Sequence, residues 1–491
     1  MSYLGIDIGT SGCKAVAFSA DGRELAAAHR EYRVRFTPDG GAELDPTVVM
    51  DQCLAAIAEA AGQVRHDPVR GLGISSQGEA FTAVDRTGQP LCHAMVSSDV
   101  RAAPHVARWT QEFGEERLYQ ITGHTAHPMF TLFKLLWLKE HRPDVWRSAA
   151  RFLCFEDLLQ LRLGLDPTMG WPLAGRTMLF DVRRHEWSGE ILDRLGLTPA
   201  RLARPVPSGT VAGTVAAQLG LPANVVVVVA GGHDQPCGAL GAGVTAPGMA
   251  MYATGSVECI CPAFAQPVFT PALRRHNLCT YDHAVPGMST TVAFSLTGGN
   301  LLQWYRDQFA PGQDYGAVLA TAAPEPTGLL VLPYWTPSGT PHFDVHTPGA
   351  ILGFRLSTTR GEVLRALLEG VAFEMRLNLE ILHEAGGAIR ELRAIGGGAK
   401  SAFWTQLKAD VLGKPITTLN VTEAGCLGVA LLACAADTGA ALGDLAARWV
   451  QPAGVFVPDP ARAAHYATQF ARYRRLHPCL APLAAVATPQ R

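Results

Sequence analysis

Val225 to Ala230 form an unbroken run of five valines and an alanine, closed by Gly231-Gly232 and followed by His233, Asp234, Gln235 and Pro236. A β-branched run of this kind predicts a strand buried on both faces, the glycines a sharp turn at its carboxyl end, and Pro236 the first turn of a helix. Asp234 is thereby delivered to the rim of a sheet, where open α/β folds bind ligands. It is either a helix cap or a carboxylate kept ionised by the helix amino end and available as a general base.

A different pattern opens the chain. Leu4, Ile6 and Ile8 alternate with other residues, Gly9-Thr10-Ser11-Gly12 breaks the alternation, and Ala15 to Phe18 resumes it, which predicts a hairpin. A turn of glycine and hydroxyl residues points several N–H groups at one spot and can cradle a phosphate; Lys14 adds a positive charge and Asp7 could face a hydrated metal ion. A plain hairpin with Lys14 in solvent is the alternative. The same pattern returns at Met249 to Cys261, where Thr254-Gly255-Ser256 separates two apolar strands. Two such hairpins, one opening each half, predict a duplicated architecture that clamps one phosphate chain from both sides.

Between them, Asp45-Pro46 starts a helix running to about Gly62, and Val69 to Ser75 is a strand ending in Ser76-Gln77-Gly78-Glu79, either a polyhydroxyl-ligand site or a hydrated loop. Thr82 to Leu91 is a second hairpin leading to Asp99 and Arg101, which can cap the next helix and pair with each other. Met129 to His141 is helical, with Phe130, Phe133 and Trp137 on one face and Lys134 interrupting it. Trp171 to Trp187 lacks a clear period and reads as a surface excursion near a cleft mouth. In the second half, Gly298-Gly299 leads into a helix bearing Gln303, and the long helix Arg360 to Ala385 follows. The strand Leu392 to Ile395 enters Gly396-Gly397-Gly398-Ala399, and Ser401 begins another helix. A glycine run there lets a planar base or a phosphate reach the backbone, although tight turns also need glycine. Gly425 and Gly428 read as close-packing positions in an alanine-rich helix.

Composition narrows the class. The 491 residues exceed one core and predict two domains, 1–245 and 246–477 with a hinge near 241–248, and a frayed tail over 478–491. With 48% hydrophobic and 17% charged residues and a net charge of −2, nothing suggests disorder, nucleic-acid binding or attachment to an anionic membrane. The start, MSYLGIDIG, does not resemble a secretory leader, no apolar run reaches about 18 residues, and the 11 cysteines are scattered without a metal-site pattern. A cytoplasmic location is expected, and exposed apolar surface on either domain would support a homodimer.

With these segments in order, the chain resembles the FGGY carbohydrate kinases, built on two actin-like, ribonuclease H-like α/β domains around a central cleft. MFTLFKLLWLKEH at 129–141 is similar to the family's first signature, and GAILGFRLSTTRGEVLRALLE at 349–369 to its second, with Phe354 where a smaller aliphatic is usual. The resemblance implies ATP and Mg2+ as cofactors and phosphorylation of a terminal hydroxyl of a ketose, a pentulose or deoxyhexulose. The alternatives are a tetritol or other polyol kinase, an actin-like ATPase, or a silent sugar sensor.

It implies Asp234 as base and, with Asp7, as metal carboxylate; Thr10, Ser11, Gly12 and Lys14 as the first phosphate loop; and Thr254, Gly255 and Ser256 as the second. It further implies Gly298, Gly299, Gln303, Gly397, Gly398, Ala399 and Ser401 around the nucleotide. Gln77, Gly78, Glu79, Asp99, Arg101, His233, Asp234 and Gln235 would then surround the sugar. Glycerol kinases place arginine where this chain has Gly78, and a tryptophan is usual where it has Ser97, which implies a pocket wider than glycerol requires. His233 is more like the deoxyhexulose kinases, and Ser338 to Pro341 lacks the Glu-Arg pair of many xylulokinases.

Overall fold

The computed structural model describes residues 1–215 and 226–484, so Val225 lies outside the described residues. The valine run forms the strand Val226–His233, and the opening hairpin forms Ser2–Ile8 and Gly12–Ser19. In the first six-stranded sheet, Ser2–Ile8 is parallel to Val69–Ser76, which is parallel to Val226–His233; Gly12–Ser19, Glu24–Glu31 and Val211–Val215 complete the edges antiparallel. The second sheet repeats this scheme. Met249–Thr254 pairs antiparallel with Glu258–Pro262 and parallel with Glu391–Ile395, and Ala293–Ser295, Ile416–Leu419 and Pro452–Phe456 occupy the matching positions. Five pairings recur with the same directions in both sheets, the geometry of a duplicated unit.

Local chemistry explains the helix boundaries. Asp45 accepts hydrogen bonds from the Thr47 and Val48 amides and Pro46 is the first residue of the helix Pro46–Gln63. Thr359 and Glu362 form a reciprocal capping box on Arg360–Glu384. Ser401 caps Ala402–Leu412, which ends on left-handed Gly413.

Chain order and spatial order part company in two places. The helix Ala424–Thr438 packs on the first sheet and against the helix Asp234–Gly241. The fit is backbone to backbone: a Cβ on Gly428 would lie 1.9 Å from the Cys237 carbonyl oxygen, and one on Gly5 would lie 1.9 Å from that of Cys426. Residues 278–282 likewise reach into the first lobe. Thr280 N–H donates to the Gly123 carbonyl at 2.8 Å, and Tyr281 belongs to the first lobe's apolar core.

Two expectations are corrected. Trp171 to Trp187 is not a surface excursion but core: the helix Trp171–Arg176 has five buried residues, and the short hairpin Phe180–Asp181 with Glu186–Trp187 closes over it. The tail from 478 is not frayed as far as it is described. It continues the helix Leu476–Ala484, with both end residues buried, and 485–491 lie outside the described residues. No helix among the described residues is long and apolar enough to cross a membrane.

Candidate active site

Asp234 is the first residue of the helix Asp234–Gly241 and follows extended His233, whose strand turns at Gly232 with φ +117°. Its helix runs between the lobes: Ala424–Thr438 lies on one side, and a Cβ on Gly238 would sit 3.3 Å from Met251 Sδ of the second hairpin on the other. The carboxyl is not the freely ionised group that a helix amino end alone would give. Burial, then the Asp7 and Glu79 carboxylates, push it up to about 8. Its Oδ1 lies 3.1 Å from His233 Nε2 but has no hydrogen-bond partner. His233 Nδ1 is 2.9 Å from the Tyr281 hydroxyl, and burial holds the ring well below the usual imidazole range, hence neutral.

Asp7 is the penultimate residue of the first strand, just before the glycine-hydroxyl turn. Burial raises it, while Ser75 Oγ donates to its Oδ1 at 2.8 Å. Gly425 at the start of the docked helix leaves only 3.0 Å between a Cβ position and this carboxylate. Thr10 and Ser11 form the exposed tip of the turn closed by the Gly9 amide on the Gly12 carbonyl at 2.9 Å. Lys14 pairs with Glu423 at 2.8 Å and so ties the hairpin to the start of the docked helix.

The expected sugar residues separate into two groups. Glu79, with a left-handed φ of +62°, is buried; Ser97 Oγ donates to its Oε2 at 2.7 Å and Arg176 donates to its Oε1. Its carbonyl accepts from Thr131 and from Lys134, whose amine burial pushes down to about 8. Gly78 lies against His233, whose ring is 3.0 Å from where a Cβ would stand, with Arg176 Nε at 3.5 Å. His233 and Arg176 thus occupy the space beside Gly78. Gln235 is half-buried beside the base, its Oε1 without a partner.

Gln77 instead braces the phosphate turn: Thr10 donates to its Oε1 at 3.0 Å, and its Nε2 donates to the Gly9 carbonyl at 2.9 Å. Asp99 and Arg101 are engaged with first-lobe groups. Asp99 is fully buried and accepts from the Ala42 amide, while Arg101 pairs with Asp99 at 2.6 Å and Glu43 at 2.7 Å and covers the Trp137 ring. Arg101 lines a separate polar cavity of about 620 Å³ with Arg35 and His93.

In the second lobe a cavity of about 910 Å³ is lined by Gly255, Ser256, Gly299, Gln303, Gly397, Gly398 and Ser401. Thr254 and Gly298 form its framework: the Thr254 hydroxyl donates to the Ile395 carbonyl, and Gly298 N–H to Asn300 Oδ1. Ala399 packs on the apolar cluster behind it. Leu302, Tyr315, Phe403 and Lys400 also line this cavity. The Phe403-Trp404 pair, in the first turn of the helix that follows the glycine run, was the available signal. For Arg176 there was none, because its partner Glu79 is 97 residues away.

Two half-buried carboxylates under a hydroxyl-bearing turn, facing a lobe with a roomy, partly apolar nucleotide-sized cavity, are the parts of a phosphoryl-transfer site. Sequence profiles agree: the N-terminal domain of the FGGY family of carbohydrate kinases matches residues 2–241 and its C-terminal domain residues 250–436. The chain belongs to the FGGY family of carbohydrate kinases. It is similar to the xylulose kinase of Bacillus subtilis, 30% identical with 97% of each chain covered, and to the glycerol kinase of Leptothrix cholodnii, 32% identical with 96% of this chain and 98% of that one covered. Among solved structures, a xyloylose kinase from Brucella ovis superposes with a TM-score of 0.90 at 27% identity, covering 98% of this chain and all of that one. As a member of this family the protein is a phosphotransferase with an alcohol group as acceptor, a sugar kinase on the actin-like two-domain fold that uses ATP.

Proposed function

We propose that this kinase transfers the γ-phosphoryl group of ATP to a terminal hydroxyl of a ketose, a pentulose or deoxyhexulose, with Asp234 as the base. The observation that carries this reading is the grouping of Asp234, His233 and Glu79 around one spot at the rim of the first sheet, with Arg176 beneath them. In its ionised form Asp234 takes the proton of the attacking hydroxyl as the new O–P bond forms, beside the neutral His233 ring that Tyr281 holds in place. Glu79, locked by Ser97 and Arg176, accepts from a second sugar hydroxyl through a remaining lone pair, and a ligand lacking that hydroxyl forgoes this bond, which discriminates between acceptors.

The turns at Thr10 to Gly12 and Gly255 to Ser256 hold the phosphates from either lobe, and the second-lobe cavity takes the nucleoside against Phe403 and Tyr315. Asp7 and Asp234 present hard oxygen donors, one of them the partnerless Asp234 Oδ1, which suits magnesium. Bound there, magnesium would neutralise phosphate charge. Domain closure then excludes the water that would hydrolyse ATP.

The filling of the space beside Gly78 by His233 and Arg176 favours a second reading, a tetritol or other small polyol as acceptor. A coupled ADP-release screen across ketopentoses, deoxyhexuloses, tetruloses and polyols separates the two. The first reading expects the highest kcat/KM among the five- and six-carbon ketoses, and a preference for C3–C4 polyols replaces it with the second. Release of ADP at one rate whatever sugar is added contradicts both.

A further inference from the structure

On the outer face of the first lobe, away from the reacting groups, the helices Ala103–Trp109 and Thr131–His141 bring together His105, Glu140 and His141. One ligand-capable atom of each lies within 4.8 Å of the others. We propose that these three side chains form a binding site for a divalent transition ion of the zinc class, with Arg108 as a guard that the ion displaces.

The donor set points to that class of ion. Two imidazoles and a carboxylate suit Zn2+, Co2+ or Ni2+, whereas magnesium and calcium prefer all-oxygen shells. Both rings offer a defined lone pair. His141 Nδ1 is 3.0 Å from the Trp137 carbonyl, which can only accept, so Nδ1 carries the proton and Nε2 is left for a metal. Arg108 Nη2 donates to His105 Nδ1 at 2.8 Å, so that nitrogen is the unprotonated one. The rings stand at 85° with centroids 6.1 Å apart, and His105 Nδ1 is 3.9 Å from Glu140 Oε2. Bonds of about 2.0 to 2.1 Å put tetrahedral ligand atoms roughly 3.4 Å apart, so a movement of about 1 Å by the exposed Glu140 and His141 closes the site onto buried His105.

The guanidinium of Arg108 occupies the space between two of the ligands, since the same Nη2 also donates to Glu140 Oε2 at 2.9 Å. A cation is therefore already favoured at this point. Arg108 is 55% exposed and can swing into water when a smaller, doubly charged ion replaces it. The site also has a reporter, because the Trp137 ring stacks on His141 at 4.9 Å and 11°.

The test is titration of the full chain with Zn2+ by calorimetry, and with Co2+ by visible absorption and tryptophan fluorescence, for the parent, His105→Ala, His141→Ala and Arg108→Ala. His141 is exposed, so its variant keeps the test valid if His105→Ala fails to fold. The proposal expects one equivalent of Zn2+, the intense visible bands of four-coordinate Co2+, and fluorescence quenching that Trp137→Phe removes. It expects at least about a tenfold loss of affinity in either histidine variant. Arg108→Ala should bind more tightly than the parent. Absence of stoichiometric binding in both the parent and Arg108→Ala, or binding that both histidine variants retain, overturns the site. An Arg108→Ala variant that binds no more tightly overturns the role given to Arg108.

Discussion

Asp234 is pulled in opposite directions by its helix and its neighbours, and the neighbours win. A carboxyl pushed up to about 8 by burial and by Asp7 and Glu79 keeps its proton at neutral pH, and a base is useful only without one. Turnover at limiting sugar should therefore rise about tenfold per pH unit below about 8 and level off above it. Raising magnesium should move the inflection to lower pH, since a cation at the two carboxylates favours their charged forms. A rate independent of pH between 5 and 8 would contradict this.

The same shift governs stability. The unfolded chain ionises near 3.8 and the folded one only near 8, so stability is lost as pH rises through that window. Asp234→Asn should melt higher than the parent at pH 8 and no higher at pH 3.5, as thermal unfolding at the two values would show. Arg176→Ala should act differently from a simple loss of contact, because it strands the buried Glu79 charge. A destabilisation of about 3 kcal/mol, together with a raised KM for the sugar and an unchanged KM for ATP, is the expected result.

At the scale of elements, capping chemistry made much of the fold legible. Asp45 with Pro46 and Thr359 with Glu362 each fix a helix start, and Ser401 and Gly413 fix the two ends of another helix, all through groups local in sequence. Trp171 to Trp187 shows no single period because its helix packs on several strands at once, Val226–His233 and Tyr281–Asp282 among them, so its burial is decided by partners distant in the chain. Gly428 was legible as a packing position, but not which element it meets. Its hydrogen faces the Cys237 carbonyl, the next turn of the helix that carries Asp234. Gly428→Ala must push backbone from backbone, at a cost of about 3 kcal/mol. Denaturant unfolding checks this, and the rate should fall with it because the base-bearing helix moves.

For the whole molecule, the duplicated sheets follow from the two hairpins and the strands after them, which the sequence shows plainly. The cleft between them does not, because the helix Ala424–Thr438 and Tyr281 come from the second half of the chain yet pack in the first lobe. Hydrophobic pattern records that a segment is buried, never in which lobe. The same limit hides the partners of Arg101, which pairs with nearby Asp99 and with Glu43 from 58 residues away. A cleft completed from both halves should keep ATP idle until an acceptor arrives, so ADP release without sugar is expected to be at least about a hundredfold slower than with it.

If Asp234 takes the acceptor's proton, steady-state turnover of Asp234→Asn at saturating ATP and sugar, paired with calorimetric binding of each, decides the matter. Binding of both is expected within a few-fold of the parent, with turnover reduced by about three orders of magnitude. A well-folded Asp234→Asn enzyme turning over at a near-parental rate would contradict it.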